Sequence, residues 1–310
     1  MSVRTLGDAP GDEVASPEPG AVGGSPDGAG SPVAGEVARR PAGARRVVRH
    51  LDIIVAGTFL ALVLLTAVAP QLFATQDPYL TAPIDRLRPP GAEHWFGTDA
   101  LGRDLYSRVI HASSLTLKAA LLAVGIALVV GLLTGVLAGF AGGLLDSILM
   151  RAIDVFLAIP GLLLSLVIIT TLGFGTLPIA TAIGVSMVPI FARTTRAEVL
   201  RVRTLPYIDA ARTSGASWGR VLFRHILPNS WEPVASLAVL EFGKSIMAVA
   251  ALSFLGFGAQ PPLAEWGTLI SEGREYLMTA PWVSLLPGFF VVLVVLSTHT
   301  LGKFFERSSR

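Results

Sequence analysis

Six stretches of this chain stay apolar for about as long as a helix needs to cross a bilayer, and no other feature constrains its fold as strongly. Crossing ~30 Å of hydrocarbon takes about 20 apolar residues at about 1.5 Å each. Runs of that kind cover residues 51–73, 115–140, 155–172, 174–192, 234–256 and 283–301. With 52% hydrophobic and only 15% charged residues, the chain is too apolar for an ordinary soluble globule. The expected class is an all-α membrane protein with six transmembrane helices.

The charges between the runs orient them. Arg39, Arg40, Arg45, Arg46 and Arg49 precede the first run, and Arg193, Arg196, Arg201, Arg203, Arg212, Arg220 and Arg224 lie between the fourth and fifth. Positive loops stay cytoplasmic. Lys303, Arg307 and Arg310 at the C-terminus agree, so both termini are expected in the cytoplasm. The segment between the first two runs then lies outside despite Arg86, Arg88, Arg103 and Arg108, which Asp77, Asp85, Glu93, Asp99 and Asp104 accompany.

Three regions follow: a disordered cytoplasmic tail over 1–45, a first transmembrane helix with an external segment over 46–110, and a five-helix core over 111–310 whose cytoplasmic loop covers 193–228. The first 35 residues are rich in Gly, Pro, Ala, Ser and acids and have no periodic apolar pattern, so they cannot bury enough surface to offset ordering. Ala67-Val68-Ala69 resembles a signal-peptidase site, but about fifty residues precede the apolar run and Pro70 follows it, which favours an uncleaved anchor. Gly131, Gly135 and Gly139 recur every fourth residue and predict close packing against another helix.

Several chemistries are excluded or disfavoured. The chain has no cysteine, hence no disulfide, thiolate nucleophile or Cys-based zinc site. Its histidines (His50, His94, His111, His225 and His299) are scattered and form no ligand spacing. Phe242-Gly243-Lys244-Ser245 has the end of a phosphate-binding loop, but the position that needs its first glycine holds Ala238 inside an apolar helix. There is no folded basic domain to bind nucleic acid.

The loop between the fourth and fifth runs reads Leu205-Pro206-Tyr207-Ile208-Asp209-Ala210-Ala211-Arg212-Thr213-Ser214-Gly215 and continues to His225-Ile226-Leu227-Pro228. Pro206 suits a first helical turn, Asp209 favours the positive end of the helix dipole, and Gly215 can take the left-handed conformation that ends a helix. Two alanines leave a thin, smooth face. A short helix so built is shaped either to dock in another protein's groove or to sit as an ordinary surface helix.

An acid, two alanines, three residues, Gly215, nine residues and then a segment ending in Leu227-Pro228 resembles the signature loop of ABC importer permeases. Asp209 stands where Glu is more usual and His225 where many members have Ile. Trp95-Phe96-Gly97-Thr98-Asp99 with Gly102-Arg103-Asp104 and Ser107-Arg108 is similar to the stretch before the second span of dipeptide and oligopeptide permeases. So is Ser253-Phe254-Leu255-Gly256-Phe257-Gly258 with Pro261-Pro262 and Trp266-Gly267 to their segment after the fifth span. The resemblance runs from about Arg46 to the C-terminus and is nearest to the C-type subunit of dipeptide permeases.

That resemblance implies the type I ABC importer permease fold in a bacterial plasma membrane. It implies a homologous second permease, two ATP-binding cassette subunits and an extracytoplasmic peptide-binding protein as partners, beside membrane lipid. This chain would be non-catalytic and hold no cofactor, with ATP and Mg on the partner subunits. Leu205, Tyr207, Asp209, Ala210, Ala211 and Gly215 would form the ATPase-coupling helix. Relatives carry dipeptides, longer peptides, glutathione, nickel chelates or haem.

Glu241 and Lys244 stand three apart in the fifth run, where a charge is costly unless it is paired or faces water. They are candidates for the translocation pathway or for an internal pair that fixes helix packing. A self-sufficient secondary carrier, with these two as an ion relay, is the alternative from another class. Asp154 is expected to pair with Arg151 at a membrane interface, and Pro160 and Pro189 to kink their helices.

Overall fold

The computed structural model describes residues 42–308, of which 42–51 and 305–308 are described by backbone only. The expected tail over 1–45 therefore lies almost wholly outside the described residues. Its last few positions already belong to the first helix, α1, which spans Ala42–Val68. Single-turn helices at Pro70–Leu72 and Pro83–Asp85 then punctuate a long irregular segment.

α2 spans Leu105–Ala141 and begins ten residues before the expected apolar run. Its start is set by Asp104, whose carboxylate accepts from the Ser107 amide at 2.8 Å and satisfies one of the free N–H groups of the first turn. Its end is set by Gly142 at φ 68°, a conformation that side chains disfavour. The 37 residues make it about 55 Å long, more than the ~30 Å of hydrocarbon a spanning helix must cross.

α5 (Thr176–Arg203) lies along α2. The three spaced glycines of α2 form the seam. A Cβ on Gly135 would sit 2.5 Å from the Ala192 carbonyl oxygen, and one on Gly139 would sit 2.9 Å from Val199 Cγ1. Gly184 of α5 returns the contact, where a Cβ would meet the Ala123 carbonyl oxygen at 2.9 Å. With no hydrophobic force to join helices inside lipid, such close backbone approach is what holds them.

The third expected run does not form one straight helix. α3 (Gly143–Ala158) and α4 (Gly161–Leu172) meet at 93°. Pro160 has no N–H to continue α3, and Ile159 before it is extended at ψ 127°. With 12 residues, α4 is about 18 Å long and cannot cross hydrocarbon alone. Pro189, in contrast, is accommodated inside α5.

The short helices α6 (Pro206–Thr213) and α7 (Trp218–Val221) lead through a π turn at Leu222–Ile226 into α8 (Leu227–Leu252). A second π turn at Ser253–Phe257 ends α8, where Gly256 sits at φ 95°. α9 (Trp266–Gly273) and α10 (Trp282–Ser308) complete the chain. α8 is central, packed by α2, α5 and α10, and the main core gathers Leu117, Ala120, Ile183, Ile246, Val249 and Trp266.

The regular secondary structure of the described residues is all helical, apart from an isolated bridge between Thr98 and Asp104. Four continuous helical stretches are long and apolar enough to cross a membrane: Leu105–Ala141, Thr176–Arg203, Trp218–Phe257 and Trp282–Phe304. The bent α3–α4 pair makes up to five. The apolar part of α1 that qualifies is shorter, Asp52–Val68.

Candidate functional site

The loop singled out by sequence folds as a short helix held beneath the ends of α2 and α5. α5 continues past its apolar run to Arg203, with Arg193, Arg196, Arg201 and Arg203 in that extension. Leu205 is then extended and Pro206 occupies the first helical turn of α6, where its missing N–H leaves no partner unsatisfied. One side chain of α6, Ile208, is fully buried; it packs with Val199, Val202, Val221 and Ile226, and Val136 and Phe140 of α2 close the cluster.

The remaining candidates follow from that anchoring. Tyr207, Asp209 and Ala210 are exposed, while Leu205 and Ala211 are half-buried. The Tyr207 ring stands edge-on to His225, 6.2 Å between centroids, which ties α6 to the π turn before α8. At the other end the Gly215 amide donates to the Arg212 carbonyl at 2.9 Å and the Ala216 amide to the Ala211 carbonyl at 3.1 Å. Gly215 sits at φ 85° with open space around its missing Cβ, so backbone conformation and not crowding requires glycine there. The arrangement presents a smooth helical face bearing one carboxylate.

Glu241 and Lys244 lie on α8, with Lys244 Nζ 2.5 Å from Glu241 Oε1. The carboxylate side chain is 6% exposed and the lysine 69%. Their neighbours on the same turn are packing groups: Ser245 donates to the Ala120 carbonyl of α2, and a Cβ on Gly243 would meet Thr298 of α10 at 2.5 Å. Because Phe242 to Ser245 is continuous α-helix, its amides are spent within the helix and cannot cradle a phosphate.

Asp154 pairs with Arg193 of α5 at 2.5 Å rather than with Arg151. Arg151 and Asp154 both lie on the exposed surface of α3, whereas Arg193 reaches across from the adjacent helix.

Sequence reasoning treated the charges before α2 as a topological balance and missed that they form a buried network. Arg103 Nε donates to Asp99 at 2.6 Å and its Nη2 reaches Glu272 at 3.3 Å. Arg108, fully buried, donates to Glu272 at 3.1 Å and lies 3.6 Å from Asp99. His94 pairs with Asp104 at 2.9 Å. The i, i+4 spacing of Asp99 and Arg103 was a readable signal; the partnership of Arg108 with Glu272, 164 positions away, was not.

Beside this network a cleft of about 440 Å³ is lined by Arg103, Glu272, Arg274, Glu275, Gln260 and Tyr276, among others. Glu265 closes the neighbouring turn: its Oε2 accepts from the Ser253 hydroxyl and the Ala259 amide, both at 2.9 Å. Burial pushes the Glu265 carboxyl above its ordinary value, against the opposing pull of those two donors.

Residues 131–310 match the family described as binding-protein-dependent transport system inner membrane component. The chain is 40% identical over 239 residues to the dipeptide transport system permease protein DppC of Alkalihalophilus pseudofirmus, covering 77% of this chain and 79% of that one. It is 37% identical to the glutathione transport system permease protein GsiD of Pectobacterium atrosepticum, covering 83% and 86% of the two chains. To the probable D,D-dipeptide transport system permease protein DdpC of Escherichia coli it is 38% identical, covering 80% and 84%.

Among solved structures, a chain of the methionine ABC transporter MetNI in an inward-facing conformation superposes with a TM-score of 0.54 at 19% identity, covering 65% of this chain and 96% of that one. This likeness identifies the type I ABC importer permease fold. The apolar helices, the architecture and the matched length together make this chain a member of the binding-protein-dependent transport system inner membrane component family, the membrane-embedded permeases of ABC importers.

Proposed function

We propose that this permease imports short peptides, and that α6 is the element through which ATPase subunits drive it. The observation that carries the coupling reading is the build of α6: a helix anchored by one buried residue, Ile208, with Tyr207, Asp209 and Ala210 outward and a left-handed stop at Gly215. Peptide as cargo is supported by the dipeptide permeases among its relatives; glutathione, itself a peptide, is the second reading and is supported by GsiD.

In this reading six spans cross the membrane, with α1 as the first and the bent α3–α4 pair as the third. Both termini and α6 face the cytoplasm, following the arginines of the 193–228 loop. A second permease completes the pathway, a binding protein delivers cargo from outside, and two cassette subunits hold ATP and Mg. This chain itself carries out no catalysis and holds no cofactor.

When the cassette dimer closes, its grooves pull the two α6 helices together. Ile208 and its cluster pass that movement to α2, α5 and α8, which rock between inward and outward openings. Lys244 supports a place for this face of α8 on the pathway or against the second permease, because an ammonium 69% exposed at that depth does not face hydrocarbon without cost.

Uptake into proteoliposomes by the assembled complex tests the cargo. A dipeptide panel should be taken up in an ATP-dependent manner and glutathione more weakly; the reverse order would favour the second reading. Transport by this chain without any ATPase partner would defeat the coupling reading.

A further inference from the structure

Trp218 has no role in the reading above, yet three groups from three helices converge on it. The Arg212 guanidinium, in the last turn of α6, lies 3.8 Å from the centroid of the indole ring. The Arg203 guanidinium, at the end of α5, lies 5.7 Å from it. Phe140, in the last turn of α2, meets the ring edge-on at 5.4 Å and 85°. Arg203 also donates through Nη1 to the Gly139 and Phe140 carbonyls at 3.2 and 2.9 Å, which are free because α2 ends there.

Trp218 is fixed in turn by its own backbone. Ser217 caps α7 by accepting from the Arg220 amide at 3.4 Å, and Val221, one turn on, is fully buried in the cluster that holds Ile208. The ring therefore sits on a short helix that is rigidly seated, while Arg212 hangs from α6 across the Gly215 turn. A guanidinium over an indole face is an attractive contact that holds direction as well as distance.

We propose that Trp218 is a positioning residue for energy coupling: it clamps the C-terminal end of α6, through Arg212, to the ends of α2 and α5. α6 is attached to the bundle near its start by Ile208 and by the Tyr207–His225 contact beside it, and near its end by Arg212. With only the attachments near its start, α6 can pivot about Tyr207 and Ile208 when its outer face is pulled, and part of the stroke is lost. With both ends held, it moves as one body with the membrane helices. This inference rests on the coupling reading of α6.

The test uses the assembled transporter in proteoliposomes and measures cargo taken up per ATP hydrolysed. Trp218→Ala should leave the complex assembled and hydrolysing ATP, but lower that ratio about fivefold, the loss expected from removing one such contact. Trp218→Phe, which keeps an aromatic face, should recover most of it. Arg212→Ala should reproduce the loss, and the double variant should be no worse than either single, because both remove the same clamp.

A wild-type ratio in Trp218→Ala or in Arg212→Ala overturns the proposal. So does a Trp218→Phe variant as defective as alanine, or loss of the ATPase subunits from the purified complex, which would make Trp218 part of the docking surface instead. Gly215→Pro, run in parallel, separates the two levels: if it transports normally, the coupling reading fails; if it is inactive while Trp218→Ala is normal, only the clamp fails.

Discussion

The two ends of α2 treat charge in opposite ways. At its start, Arg103 and Arg108 are buried and locked to Asp99 and Glu272, tying the segment before α2 to α9. Beyond its other end, Asp209 and Arg212 of α6 are exposed, and the helix that bears them is attached by Ile208, the Tyr207–His225 contact and a stacked arginine. Buried pairs exact a large desolvation cost and are geometrically unforgiving, so they suit a region that keeps one shape. Exposed charges on a lightly attached helix suit a region that meets a partner and moves with it.

The strongest way to break this contrast is Arg108→Ala. It removes one of the two buried cations that Asp99 and Glu272 share and leaves them Arg103 alone, and we expect a loss of about 3 kcal/mol in a thermal or denaturant melt of the detergent-solubilised protein. A melt unchanged from wild type would mean that the network does not hold this end. Charge reversal at Asp209 should leave the same melt in place.

Between the two ends runs the α2–α5 seam. Gly135→Val would drive methyl groups into the Ala192 carbonyl, where even a Cβ would stand at 2.5 Å, and should cost about 1–3 kcal/mol. The same measurement on Gly125→Val, where a Cβ meets nothing within 4 Å, should show a far smaller effect. Equal effects at both positions would mean that the seam is not what joins the ends.

Glu265 sharpens the comparison through pH. Its folded carboxyl is held above its ordinary 4.5, so the folded protein binds a proton more readily than the unfolded chain does. Its contribution to stability is then greatest below 4.5 and is lost as pH rises through the elevated folded value. Glu265→Gln keeps an acceptor for Ser253 and Ala259 and should flatten that slope in melts taken from pH 4 upward. An unaltered slope would assign the pH dependence to other groups.

The smallest effect is expected near α6. Arg201 and Glu198 pair at 2.7 Å on the surface of α5, with the arginine 56% exposed. A double-mutant cycle should give a coupling of about 0.5 kcal/mol or less. A larger value would mean that charges at this end are also structural.

How much of this was legible in the sequence depended on distance along the chain. The helical class, the seam glycines and the α6 stop at Gly215 were readable, because each is a local pattern of spacing or of backbone conformation. The start of α2 was missed by ten residues although Asp104 and Ser107 announce a cap, because hydropathy alone places a helix end at the edge of hydrocarbon. The 93° break at Pro160 was read only as a kink: proline removes a bond, but the angle depends on what the two pieces pack against.

The charged groups show the same limit. Glu241 and Lys244, three residues apart, are found together, whereas Arg108 with Glu272, Asp154 with Arg193 and Arg212 with Trp218 depend on the folded arrangement. Even Arg212 and Trp218, only six positions apart, meet because the Gly215 turn folds α7 back against α6.

The central claim is that the α6 end drives movement and the opposite end provides the frame. It is tested most directly by ATP-dependent peptide uptake in proteoliposomes containing the whole complex with Gly215→Pro in this chain. The account predicts a correctly inserted and assembled permease, its melt lowered only by the lost Gly215 turn, and uptake reduced to background. Uptake at the wild-type rate from an assembled Gly215→Pro complex would contradict it.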